Sequence, residues 1–197
     1  MWYFSWILGL LLACSLGIIT LLWLEAQQAW AREHMAVDPL TQLPCQEEMQ
    51  KRLQEKIANS RRNGAPFSVL YISLESFRKQ HNLIYNEMDT ILRGVAETFN
   101  NHLRNGVDIS SRFAPEVFLI VLPGARMRDA ENTARRIQQE IARQLRTADN
   151  LPIQVQIGVA EYSLQDADEV DDTALQEEVR ALLRRAEKSL QPAQLQQ

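Results

Sequence analysis

"SSRFAPEVFLIVLPG", residues 110–124, is the stretch on which the fold turns. A short polar run reaches Phe113, then Ala114-Pro115-Glu116, then an apolar run, 117–122, closed by Pro123-Gly124. Turn residues between runs of strand formers predict a hairpin, roughly 107–113 against 117–122. Its tip carries a proline and a lone carboxylate, Glu116, at the mouth of an apolar strand. That placement needs an explanation.

Outward from the hairpin, "FSVLYISL", 67–74, is apolar on both faces and predicts a central strand. "IQVQIGVAE", 153–161, alternates Ile153, Val155, Ile157 and Val159 with polar or small residues, as a half-buried strand does. Between these runs the apolar residues recur at helical spacing. Pro44 opens a helix in its first turn, with Met49, Leu53 and Ile57 on one face and a stop at Asn63-Gly64. A second helix turns Met88, Ile91, Leu92, Val95, Ala96, Phe99 and Leu103 inward. A third buries Met127, Ala130, Ala134, Ile137, Ile141 and Leu145 and turns arginines to water. The last begins near Thr173, with Gln176 three residues on as a capping box. Helix, strand, helix, hairpin, helix, strand, helix describes one α/β sandwich, its helices covering a central, mainly antiparallel sheet.

The first 24 residues, "MWYFSWILGLLLACSLGIITLLWL", hold no charge. A helix of that length spans roughly 36 Å, enough for a hydrocarbon core of about 30 Å. Trp2, Tyr3 and Trp6 stand at one end and Trp23 at the other, as interfacial anchors. Basic residues follow the span (Arg32, Lys51, Arg52) and none precedes it, which places the body in the cytoplasm by the positive-inside rule. Residues 25–37 read as a helical stalk. Leu21, Leu24, Gln28, Ala31 and Met35 would form a seam for a homodimer; a stalk with no partner fits equally.

The whole chain has 197 residues, 46% hydrophobic and 23% charged, which are globular values. A net charge of −4 argues against nucleic acid as a partner. Cys14 lies in the apolar segment and Cys45 in a polar one, so no disulfide framework is implied.

Five segments in order resemble the GGDEF family, the diguanylate cyclases that condense two GTP into cyclic di-GMP. They are "DPLTQLP" (38–44), "LYISLESF" (70–77), "SRFAPEVFLIVLPG" (111–124), "IGVAEY" (157–162) and "LLRRAEKSLQPA" (182–193). The resemblance implies a nucleotidyl cyclase-like sandwich over 38–192, after an anchor (1–24) and stalk (25–37) and before a short tail (193–197). It also implies a changed site. One Mg²⁺-binding acid of the family falls at Ser73, and Glu75, two residues on in an extended strand, would point to the same face. The two glycines of the family hairpin fall at Ala114 and Pro115, and proline has no N–H to offer a phosphate. The second metal carboxylate remains as Glu116, and the family's essential glutamate falls at Val117. Asp89 matches a guanine contact, or caps the helix that follows. Asp108 matches the acid of the product-inhibition site, whose arginine falls at Asn105 with Arg104 one position off.

Losing several transition-state groups at once predicts little chemistry. The expectation is a membrane-anchored, non-enzymatic module with no catalytic residues. It has no cofactor, Mg²⁺ entering only if a residual site binds GTP. Glu116, Asp89, Asp108 and Glu75 are the surviving site positions. A bacterial inner-membrane location, a membrane-protein partner and a regulatory role in exopolysaccharide, biofilm or motility systems go with it by analogy. The alternatives are a GTP or cyclic di-GMP receptor without turnover, and an active cyclase with a divergent site.

Overall fold

The computed structural model describes residues 37–81, 83–163 and 172–190, together with Tyr3 and Ile7. The expected anchor and stalk otherwise lie outside the described residues, as does the tail. Among the described residues no helix is long and apolar enough to cross a membrane.

The elements run α1 (Gln46–Asn63), β1 (Phe67–Ser73), α2 (Glu75–His81), α3 (Tyr85–His102), β2 (Ile109–Ala114), β3 (Val117–Pro123), α4 (Met127–Gln144), β4 (Gln156–Tyr162) and α5 (Asp172–Lys188). The four strands form one antiparallel sheet in the order β2-β3-β1-β4. β1 is central because its side chains are apolar on both faces, so both must be covered. On one face Leu70, Ile72, Phe118, Ile120 and Leu122 meet Ile91, Val95 and Phe99 of α3 and Ile137 and Ile141 of α4. On the other, Val69, Leu119 and Val121 meet Met49, Leu53 and Ile57 of α1 and Val179, Leu182 and Ala186 of α5. The rings of Phe99 and Phe118 meet edge to face, 5.3 Å between centroids.

Several expectations shift in detail. Pro44 lies before α1, in a bridge with Val37, and Cys45 takes the N-cap position. α1 does end at Asn63, with Gly64 at φ 68° closing the turn. Met127 is 38% exposed rather than buried, because it starts α4 and its N–H donates to Glu161. Ile153 and Val155 are buried but precede β4, which among the described residues pairs only with β1. β4 is also covered on both faces rather than half-buried. A Cβ on Gly158 would lie 1.8 Å from the Ala186 carbonyl oxygen, so α5 packs directly on the β4 backbone. Ser189 fixes that contact: Val159 N–H donates to its Oγ (2.7 Å), which donates in turn to the Val159 carbonyl (2.9 Å).

Candidate functional site at the hairpin tip

β2 and β3 pair as the sequence predicts, Arg112 opposite Phe118 and Ala114 opposite Val117, with Phe113 as a bulge between them. Pro115 and Glu116 alone make the turn. Neither has a positive φ. Two-residue hairpins usually need one left-handed residue to match strand twist. Here the extra residue at Phe113 supplies the added twist instead. Proline therefore suits this tip, its φ being already near −65°.

The tip is tied down on one side through Arg112. Its guanidinium donates to both Asp38 carboxylate oxygens (3.1 Å each) and to the Pro115 carbonyl (2.9 Å from Nη2). Asp38 also accepts from the Thr41 N–H (2.8 Å) and hydroxyl (2.7 Å). Burial alone would raise the Asp38 pKa; the Thr41 and Arg112 bonds outweigh it and hold the carboxyl below its ordinary value.

On the other side the tip meets the end of β1. Ser73 pairs with Val117 and is 6% exposed, Val117 2%. The Leu74 N–H donates to the Glu116 carbonyl (3.0 Å), and the chain leaves the sheet there. Glu75 is thus the first residue of α2, not a strand residue sharing Ser73's face. Its N–H is turned toward the Ser73 hydroxyl (3.3 Å), and its exposed carboxylate pairs with Lys79 (3.3 Å). The expectation that Glu75 points to the same strand face as Ser73 fails for that reason. α2 instead delivers Arg78, whose Nε side forms an ion pair with the Glu116 carboxylate. The contact is charge to charge, not an aligned hydrogen bond from Nε. The Glu116 side chain is 15% exposed.

The other predicted positions do not join this site. Asp89 is half-buried in the second turn of α3, and the N-cap position of that helix is Ile84, which makes no side-chain cap bond. Asp108 lies at the opposite end of the hairpin. It holds Arg104 by a bidentate pair (2.6 Å from Nη2, 3.1 Å from Nε), and Arg104 also donates to the Pro123 carbonyl (3.1 Å). Sequence reasoning missed Arg78 and the Asp38–Arg112 tie. The signal for the second was present: Asp38 with Thr41 three residues on is a side-chain turn motif.

Magnesium takes hard oxygen ligands, usually carboxylates beside the substrate phosphates. The residues here do not fit the family's two-acid centre. One carboxylate, Glu116, is present and Arg78 already holds it; the position that the resemblance gives the other acid, Ser73, carries a neutral hydroxyl. Among the described residues no group of three His, Cys, Asp or Glu could hold a metal ion.

A four-stranded antiparallel sheet between two helical layers, with its acid at the hairpin tip, defines a nucleotidyl cyclase-like domain. Residues 35–196 match the diguanylate cyclase GGDEF domain, and the chain belongs to that family. Diguanylate cyclase DosC of Escherichia coli K12 is 30% identical over 150 residues, 74% of this chain. The match covers 32% of DosC, so the chain aligns with about a third of that relative. Residues 1–27 match the membrane bound YbgT-like proteins. Subunit X of the cytochrome bd ubiquinol oxidase of Brucella abortus is 44% identical over 43 residues, 22% of this chain and 84% of that protein. In three dimensions the FimX GGDEF domain of Pseudomonas aeruginosa superposes with a TM-score of 0.66 at 16% identity, over 78% of this chain and 90% of that one. Diguanylate cyclase SiaD of the same organism, solved with its activator SiaC, gives 0.60 at 22% identity over 95% and 72%. The fold and family expectations therefore stand. The expectation that the chain is no enzyme does not. The matching family is a cyclase family and its relatives are named diguanylate cyclases.

Proposed function

We propose that the chain acts in cyclic di-GMP signalling as a diguanylate cyclase with a divergent, slow site. The observation that carries this is the frame at the strand end. The β1–β3 ladder, the Leu74–Glu116 backbone bond and the Arg112 tie hold Glu116 beside the end of β1, and the resemblance to the family gives that position a metal carboxylate; together these support the reading. In the family reaction each GTP loses pyrophosphate as a ribose hydroxyl attacks the α-phosphorus. Ser73, Pro115 and Val117 each remove a charge or donor, and one such loss commonly lowers kcat by about a hundredfold or more. The test is purified full-length chain in mild detergent, incubated with GTP and followed by mass spectrometry. Slow, protein-dependent appearance of cyclic di-GMP that Glu116→Ala abolishes is expected. Product that persists undiminished in that variant would remove the tip from the reaction.

We also propose that the N-terminal segment tethers this domain to the inner membrane beside an oxidase, with the C-terminal domain in the cytoplasm. The uncharged run 1–24 and the likeness of residues 1–27 to YbgT-like proteins support this reading. Affinity purification in mild detergent should recover the subunits of a cytochrome bd-type oxidase, and deletion of residues 1–27 should release them. Unaltered recovery after that deletion would refute the tether.

A further inference from the structure

We propose that the outward face of α4, with the turn that follows it, docks this domain on anionic lipid headgroups. The inference rests on the membrane tether proposed above for residues 1–27. Its ground is the pattern of one helix. α4 buries Ala130, Ala134, Ile137 and Ile141 against the sheet. On its far side, steps of four, three, four and four residues align Arg128, Asn132, Arg135, Gln139 and Arg143. All five are exposed and none is acidic, in a chain whose net charge is −4. At a helical rise of 1.5 Å per residue the row is about 22 Å long. Asp129, Glu131 and Glu140 lie outside it. Little of its positive charge is neutralised within the domain. Arg128 makes no ion pair or hydrogen bond among the described residues. Arg135 donates to neutral groups, the Asn132 side chain (2.9 Å) and the Glu131 carbonyl (3.5 Å). Arg143 pairs with Glu140 (2.9 Å) and still leaves 73% of its side chain exposed.

The turn after the helix adds an apolar group to this row. Residues 146–152, closed by a bridge between Arg146 and Pro152, carry both an exposed Arg146 and Leu151, which is 42% exposed. The Thr147 N–H donates to the Leu151 carbonyl (2.9 Å), and the Thr147 hydroxyl accepts from the Leu151 N–H (3.1 Å). Asp149 is the acid of that turn, against Arg128, Arg135, Arg143 and Arg146. A lipid surface takes cations at its headgroups and an apolar side chain beneath them, so it uses the arginines and the leucine together. An acidic polymer would use the arginines alone. On the tether reading, residues 28–36 alone separate the anchor from the described domain, which keeps lipid at high effective concentration.

The test reads the arginines directly. Full-length chain is reconstituted in nanodiscs of phosphatidylcholine, alone or with phosphatidylglycerol, treated with phenylglyoxal and mapped by mass spectrometry. Arg128, Arg135 and Arg146 should react about threefold or more slowly on the anionic discs. The difference should vanish in about 1 M salt, where the screening length is roughly 3 Å. Arg180 and Arg184, exposed on α5 across the sheet, should react alike on both. Leu151→Ser should lessen the slowing without altering the circular dichroism. Equal rates on the two discs, or equal slowing on α5, would overturn the inference and leave the tether intact. Slowing by added polyglutamate but not by phosphatidylglycerol would give the face to an acidic protein and overturn it as well. Chain that elutes apart from the discs would remove the tether and the inference together.

Discussion

Two places in this molecule are ones where glycine would be expected, and they have been treated differently. At Gly158 the backbone of β4 touches the end of α5, and any side chain there would enter the Ala186 carbonyl. At the hairpin tip, where the resemblance to the family puts two glycines, stand Ala114 and Pro115, and the β2–β3 ladder closes there through a bulge at Phe113. The glycine at 158 serves packing; the pair that the resemblance implies at the tip would serve a ligand. It follows that the sheet and its helices are specified independently of the chemistry that the family builds on them. Substitutions in the body should therefore cost much and those at the tip little.

The largest effect belongs to Phe118, fully buried between Phe99 and the sheet. Phe118→Ala should destabilise the chain by about 3–5 kcal/mol, read from urea unfolding followed by circular dichroism. A loss under about 1 kcal/mol would show that this core repacks and would weaken the contrast. Gly158→Ala comes next, at about 3 kcal/mol. This is the upper end for overpacking, because the opposing atoms are backbone and cannot swing aside. Tm should fall accordingly; a wild-type Tm would mean that α5 can slide off β4.

Asp38 tests the border between body and tip. Asp38→Ala leaves Arg112 without its carboxylate and should cost about 2 kcal/mol at neutral pH. The folded carboxyl titrates below its ordinary 3.8. Its stabilising contribution is therefore complete above that value, and is lost as pH falls through the lowered folded value. The gap between wild type and variant should thus be constant from pH 5 to 8 and close in stronger acid. A gap that instead widens on acidification would reverse the sign assigned to the Asp38–Arg112 tie.

Much of this contrast was legible in the sequence, for a physical reason. Strands 67–73 and 117–123 are read easily because a strand covered on both faces must be apolar throughout. The hairpin was legible because Pro115 and Pro123-Gly124 mark its ends. Glu75 was misread because periodicity cannot show where an apolar strand stops. Leu74 continues the strand pattern while the backbone already turns toward the Ser73 hydroxyl and into α2. Arg78 was missed because its partner, Glu116, is distant in sequence and is brought near only by the β1–β3 pairing. Ion pairs between elements leave no periodic trace.

Pro115→Gly is the mildest substitution and the most informative. It puts glycine, which the resemblance to the family implies there, at an exposed turn whose backbone stays at negative φ. If the tip is shaped by the Phe113 bulge, the native φ suits proline and no strain is relieved by removing it. The remaining effect is on the unfolded chain, which gains conformations, and stability should fall by about 0.5–1 kcal/mol. The urea midpoint should shift down with its slope unchanged, since no surface is newly exposed. A gain in stability would mean that proline strains the turn against a twist the bulge does not supply. The tip would then still be built for glycine, and its indifference to the lost cradle, on which the contrast with Gly158 rests, would be gone.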